Sequence, residues 1–198
     1  LAPQVIVLGV FGRGGSAGGL GSVAGGCVRR AEGDVLLVRQ DAPPVFPSVA
    51  ACIDFSEGSR SALDAAVRYA ARDDAALHIL HVYDDPWHGL TPPDVIRASM
   101  PEFRADLNRA VEARLRDFCA PAAHELGGLR AQFHAVQSDP HLGSYGRAIA
   151  RFLSGQHIHL GILATHSARP LRDAVLGSTA ERVLRDAPCS LLAVKPRD

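Results

Sequence analysis

A chain of 198 residues that is 47% hydrophobic and 21% charged can build one full α/β domain with a real core, which excludes a disordered or fibrous protein. Its 21 basic and 21 acidic side chains cancel, and all but one of the bases are arginines scattered among the acids, so a nucleic-acid partner is not expected. No apolar run approaches the ~20 residues of a membrane span, so no membrane partner is expected either.

In chain order, the sequence opens on Leu1 rather than Met and is almost at once in a strand, Val5 to Leu8. That short apolar run is not a signal-peptide core, because no basic segment precedes it and Arg13 and glycines follow. A glycine-rich loop, GVFGRGGSAGGLGS, leads to a helix-like VAGGCVRRA and a strand from Asp34 to Val38. The same pattern returns near the end of the chain. Gly9 and Gly12 match Ala164 and Ser167 at an offset of 155. Gly21-Ser22, Arg29, Ala31, Leu36 and Val38 match Gly177-Ser178, Arg185, Ala187, Leu192 and Val194 at an offset of 156. A repeat at one domain length makes residues 1–41 the expected closing remnant of a preceding copy, strand–loop–helix–strand, and the absent Met fits that expectation.

Pro43, Pro44 and Pro47 mark residues 42–47 as a linker, and 48–198 is expected to be a complete domain. A strand from Val49 to Ile53 ends at Asp54, and the spacing of Leu63, Val67 and Ala70 predicts a helix over Ser56 to Arg72. Ala76 to Tyr83 is the next buried strand, followed by the turn-rich DDPWHGLTPP. Phe103, Leu107, Val111, Leu115 and Phe118 predict a helix from about Pro101 to Cys119. Ala131 to Val136 alternates as an edge strand does, with Gln132 and His134 on its other face. Ser144 to Leu153 is a predicted helix with Tyr145, Ile149, Phe152 and Leu153 inward. Leu160 to Ala164, a helix opened by Gly177-Ser178, and Leu191 to Val194 complete the order. Alternating β and α specifies a parallel sheet with helices on both faces. The strand from Val35 to Val38, stripped of its own sheet, is expected to pair antiparallel with Leu191 to Val194 or to drive dimerisation.

The cysteines, Cys27, Cys52, Cys119 and Cys189, have no C-x-x-C or zinc-like spacing, so a reduced, cytoplasmic protein is expected. His78 and His81 are three apart on a strand and face opposite sides, so they cannot chelate together. His157 and His159 have no acid or Cys at ligand spacing, and no metal is expected. Neither a G-x-S-x-G elbow nor H-E-x-x-H is present, and the front glycines follow G-x-x-G-x-G-G rather than the dinucleotide fingerprint. These absences argue against a hydrolase or dehydrogenase.

In an open doubly wound sheet, ligands bind at the carboxyl ends of the strands that flank the switch point. Asp54 ends the domain's first strand, and Ala164 to Ser178 follows its fourth, so an acid would face a helix N-terminus across one crevice. That geometry suits a nucleotide, with the acid on ribose hydroxyls and backbone N–H groups on phosphates. The structural alternative is that Asp54 and Ser56 only cap a helix, and that Ser178-x-x-Glu181 is only a capping box.

IDFSE at 53–57, LHV at 80–82 and the ending LGSTAERVLRDAPCSLLAVKP resemble the universal stress protein family over all of 48–198, and 1–40 resembles the family's last third. The resemblance implies a doubly wound five-stranded parallel sheet in the order 3-2-1-4-5, of the adenine-nucleotide alpha-hydrolase-like type. It also implies pairing through last strands, within the chain or between copies. The family's ATP-binding branch carries G-x2-G-x9-G-[ST], which falls here on Ala164, Ser167, Gly177 and Ser178 with the first two glycines replaced. Its contacts would be Asp54 on ribose, the backbone of Val82 on adenine, and Ser178 and Thr179 on phosphate. A Cβ at Ala164 or Ser167 obstructs a positive φ or a close backbone approach, at about 1–2 kcal/mol against ~8 kcal/mol for micromolar binding. Pro170 supplies no N–H, while His166, Arg169 and Arg172 would partly compensate by meeting phosphate oxygens. The expected function is a non-enzymatic stress-response module with ATP as its ligand. The alternatives are a scaffold that binds no nucleotide, and a weak ATPase.

Overall fold

The computed structural model describes residues 4–10, 22–84, 86, 94–138, 144–165 and 176–195. Seven strands form one sheet: β1 (Val5–Gly9), β2 (Asp34–Val38), β3 (Ser48–Cys52), β4 (Ala76–Tyr83), β5 (Arg130–Gln137), β6 (Leu160–Ala164) and β7 (Ser190–Val194). They lie side by side in the order β1-β2-β7-β6-β3-β4-β5. Every pairing is parallel except that of β2 with β7. Counted from β3, the last five strands run 3-2-1-4-5 across the sheet. The front unit is not a separate body but extends the same sheet.

Period-two alternation divides the strand side chains between two cores. Val49, Ala51, Leu77, Ile79 and Leu192 face α2 (Glu57–Asp73) and α3 (Asp94–Cys119). Ala50, Leu80, Leu163, Leu191 and Ala193 face α1 (Ser22–Arg30), α5 (Tyr145–Gly155) and α6 (Ser178–Asp186). The central strands are buried on both faces, which is why they read as nearly unbroken apolar runs. A Cβ on Gly161 of β6 would lie 2.8 Å from Leu191 Cδ2, the end of a flexible side chain that would have to shift.

Ser56 starts α2 with an extended backbone and a side chain that accepts from Ser59 N; Asp74, in the left-handed region at φ 48°, ends it. The buried face, Ala62, Leu63, Ala66 and Ala70, repeats every helical turn against β3. The α3 helix begins at Asp94, earlier than the sequence pattern predicts, and carries Pro101 inside it. A proline removes one backbone donor, and the apolar stripe from Phe103 onward continues past that gap. After α3 come a 3-10 turn, Ala120–Ala122, and a one-turn helix, α4 (Ala123–Gly127), neither of which has a readable period.

Residues 39–47 join the units and are pinned. Phe46 is buried, and its N–H donates to Asp73 Oδ2 at 2.9 Å. Because β2 runs antiparallel to β7 while β7, β6 and β3 are parallel, Val38 leaves β2 at the edge of the sheet where Ser48 enters β3. A short link therefore suffices. The antiparallel pairing of β2 with β7 expected within the chain is formed, with Leu36 opposite Leu192.

Candidate functional site

The chain runs outward from β3 through β4 to β5, then returns to the other side of β3 to lay down β6. The carboxyl ends of β3 and β6 are thus the switch point, and a cleft of about 450 Å³ opens there, within the range of small-molecule sites. Asp54, Val82, Ala164, Gly177, Ser178 and Thr179 all line it. Ser167, with His166, Arg169, Pro170 and Arg172, lies outside the described residues.

Asp54 stands just past β3 and is exposed. Its Oδ1 accepts from Ser56 N at 3.0 Å and from Ser56 Oγ, while Ser56 Oγ accepts from Ser59 N at 3.2 Å. The cap of α2 is therefore Ser56, with Asp54 orienting it. Among the described residues Asp54 Oδ2 has no protein partner, so the capping role leaves half of this carboxylate for the cleft.

Val82 presents backbone. Leu80 O accepts from Ile53 N at 2.8 Å, so the peptide groups of Leu80 point toward β3. Those of Val82, two residues on, point the same way, where β3 has ended. The ladder stops because Ile53 O is taken by the His81 ring, whose Nδ1 lies 2.8 Å away and donates to that carbonyl. Burial holds His81 below the ordinary histidine range; the Ile53 bond opposes this, Arg114 adds to it and Asp54 opposes it.

On the facing wall, Gly177 has an extended backbone (φ −60°, ψ 142°) and is the N-cap of α6. Its N–H donates to Thr165 O at 3.1 Å, and its carbonyl accepts from Glu181 N at 2.8 Å. Ser178 is therefore the first helical residue, not the cap, and among the described residues no side chain caps this helix. A capping box needs its serine in the extended position that Gly177 occupies, so the box proposed from the sequence does not form. The N–H groups of Ser178, Thr179 and Ala180 belong to the first turn, where no intrahelical carbonyl is available. They border the cleft with the positive end of the helix dipole.

The strain expected at Ala164 is also absent. Among the described residues the non-glycine positive-φ positions are Phe55, Asp74 and His157, so Ala164 sits in ordinary strand backbone and its Cβ costs no dihedral energy.

The sequence pattern missed a third part of the wall. Asp84 accepts from Ser138 Oγ at 2.6 Å and from Tyr145 Oη, tying together the ends of β4 and β5 and the start of α5. The bond to Asp84 pushes the Tyr145 phenol up to about 12. The only hint was that Asp84 follows Val82 by two, and so shares its face. Asp54 and Asp84 are the formal charges among the described lining residues.

The family model for the universal stress protein family matches residues 46–195, three-quarters of the chain, and covers every described wall of the cleft. The chain belongs to the universal stress protein family. A universal stress protein from Archaeoglobus fulgidus is 22% identical with a TM-score of 0.64, over 98% of this chain and 63% of that one. A Pseudomonas aeruginosa protein named for the same family gives 21% and 0.68 over the same shares, 98% and 63%. UspA from Lactobacillus plantarum gives 21% and 0.57, over 78% of this chain and 100% of its own. The chain thus spans less than two-thirds of the length of the first two universal stress proteins. At these identities the likeness establishes the shared α/β fold with its mainly parallel sheet. No curated protein matches the chain.

Proposed function

We propose that this universal stress protein is a regulatory stress-response module that binds an adenine nucleotide, ATP, in the cleft at the ends of β3, β4 and β6, and acts by binding rather than by turnover. One observation carries the proposal: a half-engaged carboxylate, an open backbone edge and an uncapped helix N-terminus border one cleft of nucleotide size. Asp54 would take ribose hydroxyls, the backbone of Val82 the adenine edge, and the first turn at Ser178 and Thr179 the phosphates. Gly177 allows close approach beside Ala164. The missing motif glycine at Ala164 weighs less than the sequence suggested, because that position needs no unusual backbone.

The front unit is read as the closing part of a like domain, and self-association through last strands as satisfied within the chain. The matched register of the two units supports both. Two buried cysteines, Cys119 and Cys189, and the half-buried Cys52 fit a reducing, cytoplasmic setting: desolvation pushes Cys52 up to about 12, and Cys119 and Cys189 to about 11, which disfavours the reactive thiolate.

Calorimetric titration of ATP into the whole chain tests the proposal. The expected result is a dissociation constant of roughly 1–100 µM, weakened at least about tenfold by Asp54→Ala, with no ATP consumed. No heat at millimolar ATP would leave the scaffold alternative. Steady ATP hydrolysis lost in Ser178→Ala would make the module an ATPase.

A further inference from the structure

Asp54 is held in place by its two neighbours in the chain, and both are tied to one imidazole, that of His81. Ile53 N donates to Leu80 O at 2.8 Å, and Ile53 O accepts from His81 Nδ1, also at 2.8 Å. Phe55, on the other side of Asp54, packs its ring on His81 with centroids 4.3 Å apart. The same ring meets Phe118 edge-on at 5.6 Å, and the Arg114 guanidinium lies 4.2 Å from its centroid. Phe55 has φ 63°, in the left-handed region. Glycine adopts that conformation without steric cost, and a bulky residue there persists only where its surroundings over-determine it. A turn that only started α2 would not need an aromatic ring at this position. Asp54 and His81 line the cleft, whereas Phe55 does not, so Phe55 acts on a ligand only through its neighbour.

We propose that Phe55 is a positioning residue. Its ring, clamped on His81, holds the left-handed turn that aims Asp54 into the cleft, and so sets a preference for nucleotides with an intact ribose diol. The preference rests on the reading of the cleft as a nucleotide site; the clamp does not. With Ile53 and Phe55 both fixed, the Asp54 carboxylate has little freedom, and the bond from Ser56 N to its Oδ1 at 3.0 Å reports its position. Without the ring, residue 55 is free to leave the left-handed region and the backbone of Asp54 turns with it. The carboxylate then no longer meets two hydroxyls at once.

Two measurements on the whole chain test the clamp. The first, hydrogen exchange of the Ser56 amide, needs no ligand. Phe55→Gly permits the left-handed turn and removes the ring, so it should speed Ser56 exchange by about tenfold or more, with the amides of β6 unchanged. Phe55→Tyr, which keeps the ring, should exchange as wild type does. The second is titration of ATP against its dideoxyribose analogue, which lacks both ribose hydroxyls. Wild type and Phe55→Tyr should favour ATP by about tenfold, and Asp54→Ala and Phe55→Gly by less than about threefold. Unchanged Ser56 exchange in Phe55→Gly overturns the clamp, and a tenfold preference kept in that variant overturns the positioning role. A wild type that binds neither nucleotide, or both equally, overturns the ribose assignment of Asp54, while faster Ser56 exchange in Phe55→Gly still upholds the clamp. Where Phe55→Gly does not fold, Phe55→Leu, which keeps apolar bulk without the flat ring, is read in its place.

Discussion

Two serines at helix starts, Ser56 and Ser178, look alike in sequence and do different work. Ser56 accepts from Ser59 N and is itself bonded to Asp54, whereas Ser178 lies one residue inside its helix and caps nothing. Ser56→Ala should cost about 1 kcal/mol in chemical denaturation, the usual worth of a cap. Ser178→Ala should stay within about 0.5 kcal/mol of wild type, yet weaken ATP binding in the same titration. The serine at 178 was legible as a candidate contact. Its freedom from capping was not, because that follows from the backbone of Gly177 and its bond to Thr165. Asp84 gives the opposite expectation: a second carboxylate in a cleft for an anion repels it. Asp84→Asn keeps an acceptor for Ser138 and Tyr145 and should tighten ATP binding, measured calorimetrically.

At the scale of elements, the cleft wall depends on how closely α5 approaches α6. A Cβ on Gly146 would meet Arg182 Cβ at 2.5 Å and Thr179 O at 3.1 Å, so Gly146→Ala must push the helices apart. A loss of about 1–3 kcal/mol is expected on unfolding, with weaker ATP binding because Thr179 moves. Gly161→Ala meets only leucine side-chain ends and should cost less. The other face of α5 packs on a histidine pair. His78 Nδ1 and His134 Nε2 are 3.1 Å apart, and Phe152 stands edge-on to both rings. Burial holds both below the ordinary histidine range; His134 adds to this at His78, and Glu112 opposes it at His134. The unfolded chain, whose histidines titrate near pH 6.5, then binds more protons than the folded one below that pH. Stability should be full above about pH 6.5 and fall as pH drops through 6 and 5. Melting curves across that range check it, and His134→Gln should flatten the slope. Sequence spacing put His78 and His81 on opposite faces, as found: His81 packs at a tilt on Phe55, and His78 stacks with His134. The His78–His134 pair was not legible, since it needs the register of β4 against β5.

For the molecule as a whole, the offset repeat was the most informative feature of the sequence, and the structure repeats it bond for bond. Val5 pairs with Asp34 as Leu160 pairs with Ser190, and Val10 N donates to Val38 O at 3.0 Å as Thr165 N donates to Val194 O at 3.0 Å. Antiparallel pairing of the front strand with the last one was among the expectations; what the repeat did not disclose was the sharing of cores, in which Leu36 of the front unit packs among α2 and β7 side chains. The cleft was legible from strand order at Asp54, Ala164, Gly177 and Ser178 and from the family resemblance at Val82 and Thr179, and illegible where distant elements converge, at Asp84 and Tyr145. Backbone amide shifts of isotopically labelled whole chain during an ATP titration put the cleft to the test residue by residue. The amides of Val82, Ser178, Thr179 and Ala180 should shift together along one saturable curve, those of β1 and β2 remaining still. Saturation that leaves these four unmoved, or shifts gathered elsewhere, would contradict the assignment of this cleft to the nucleotide.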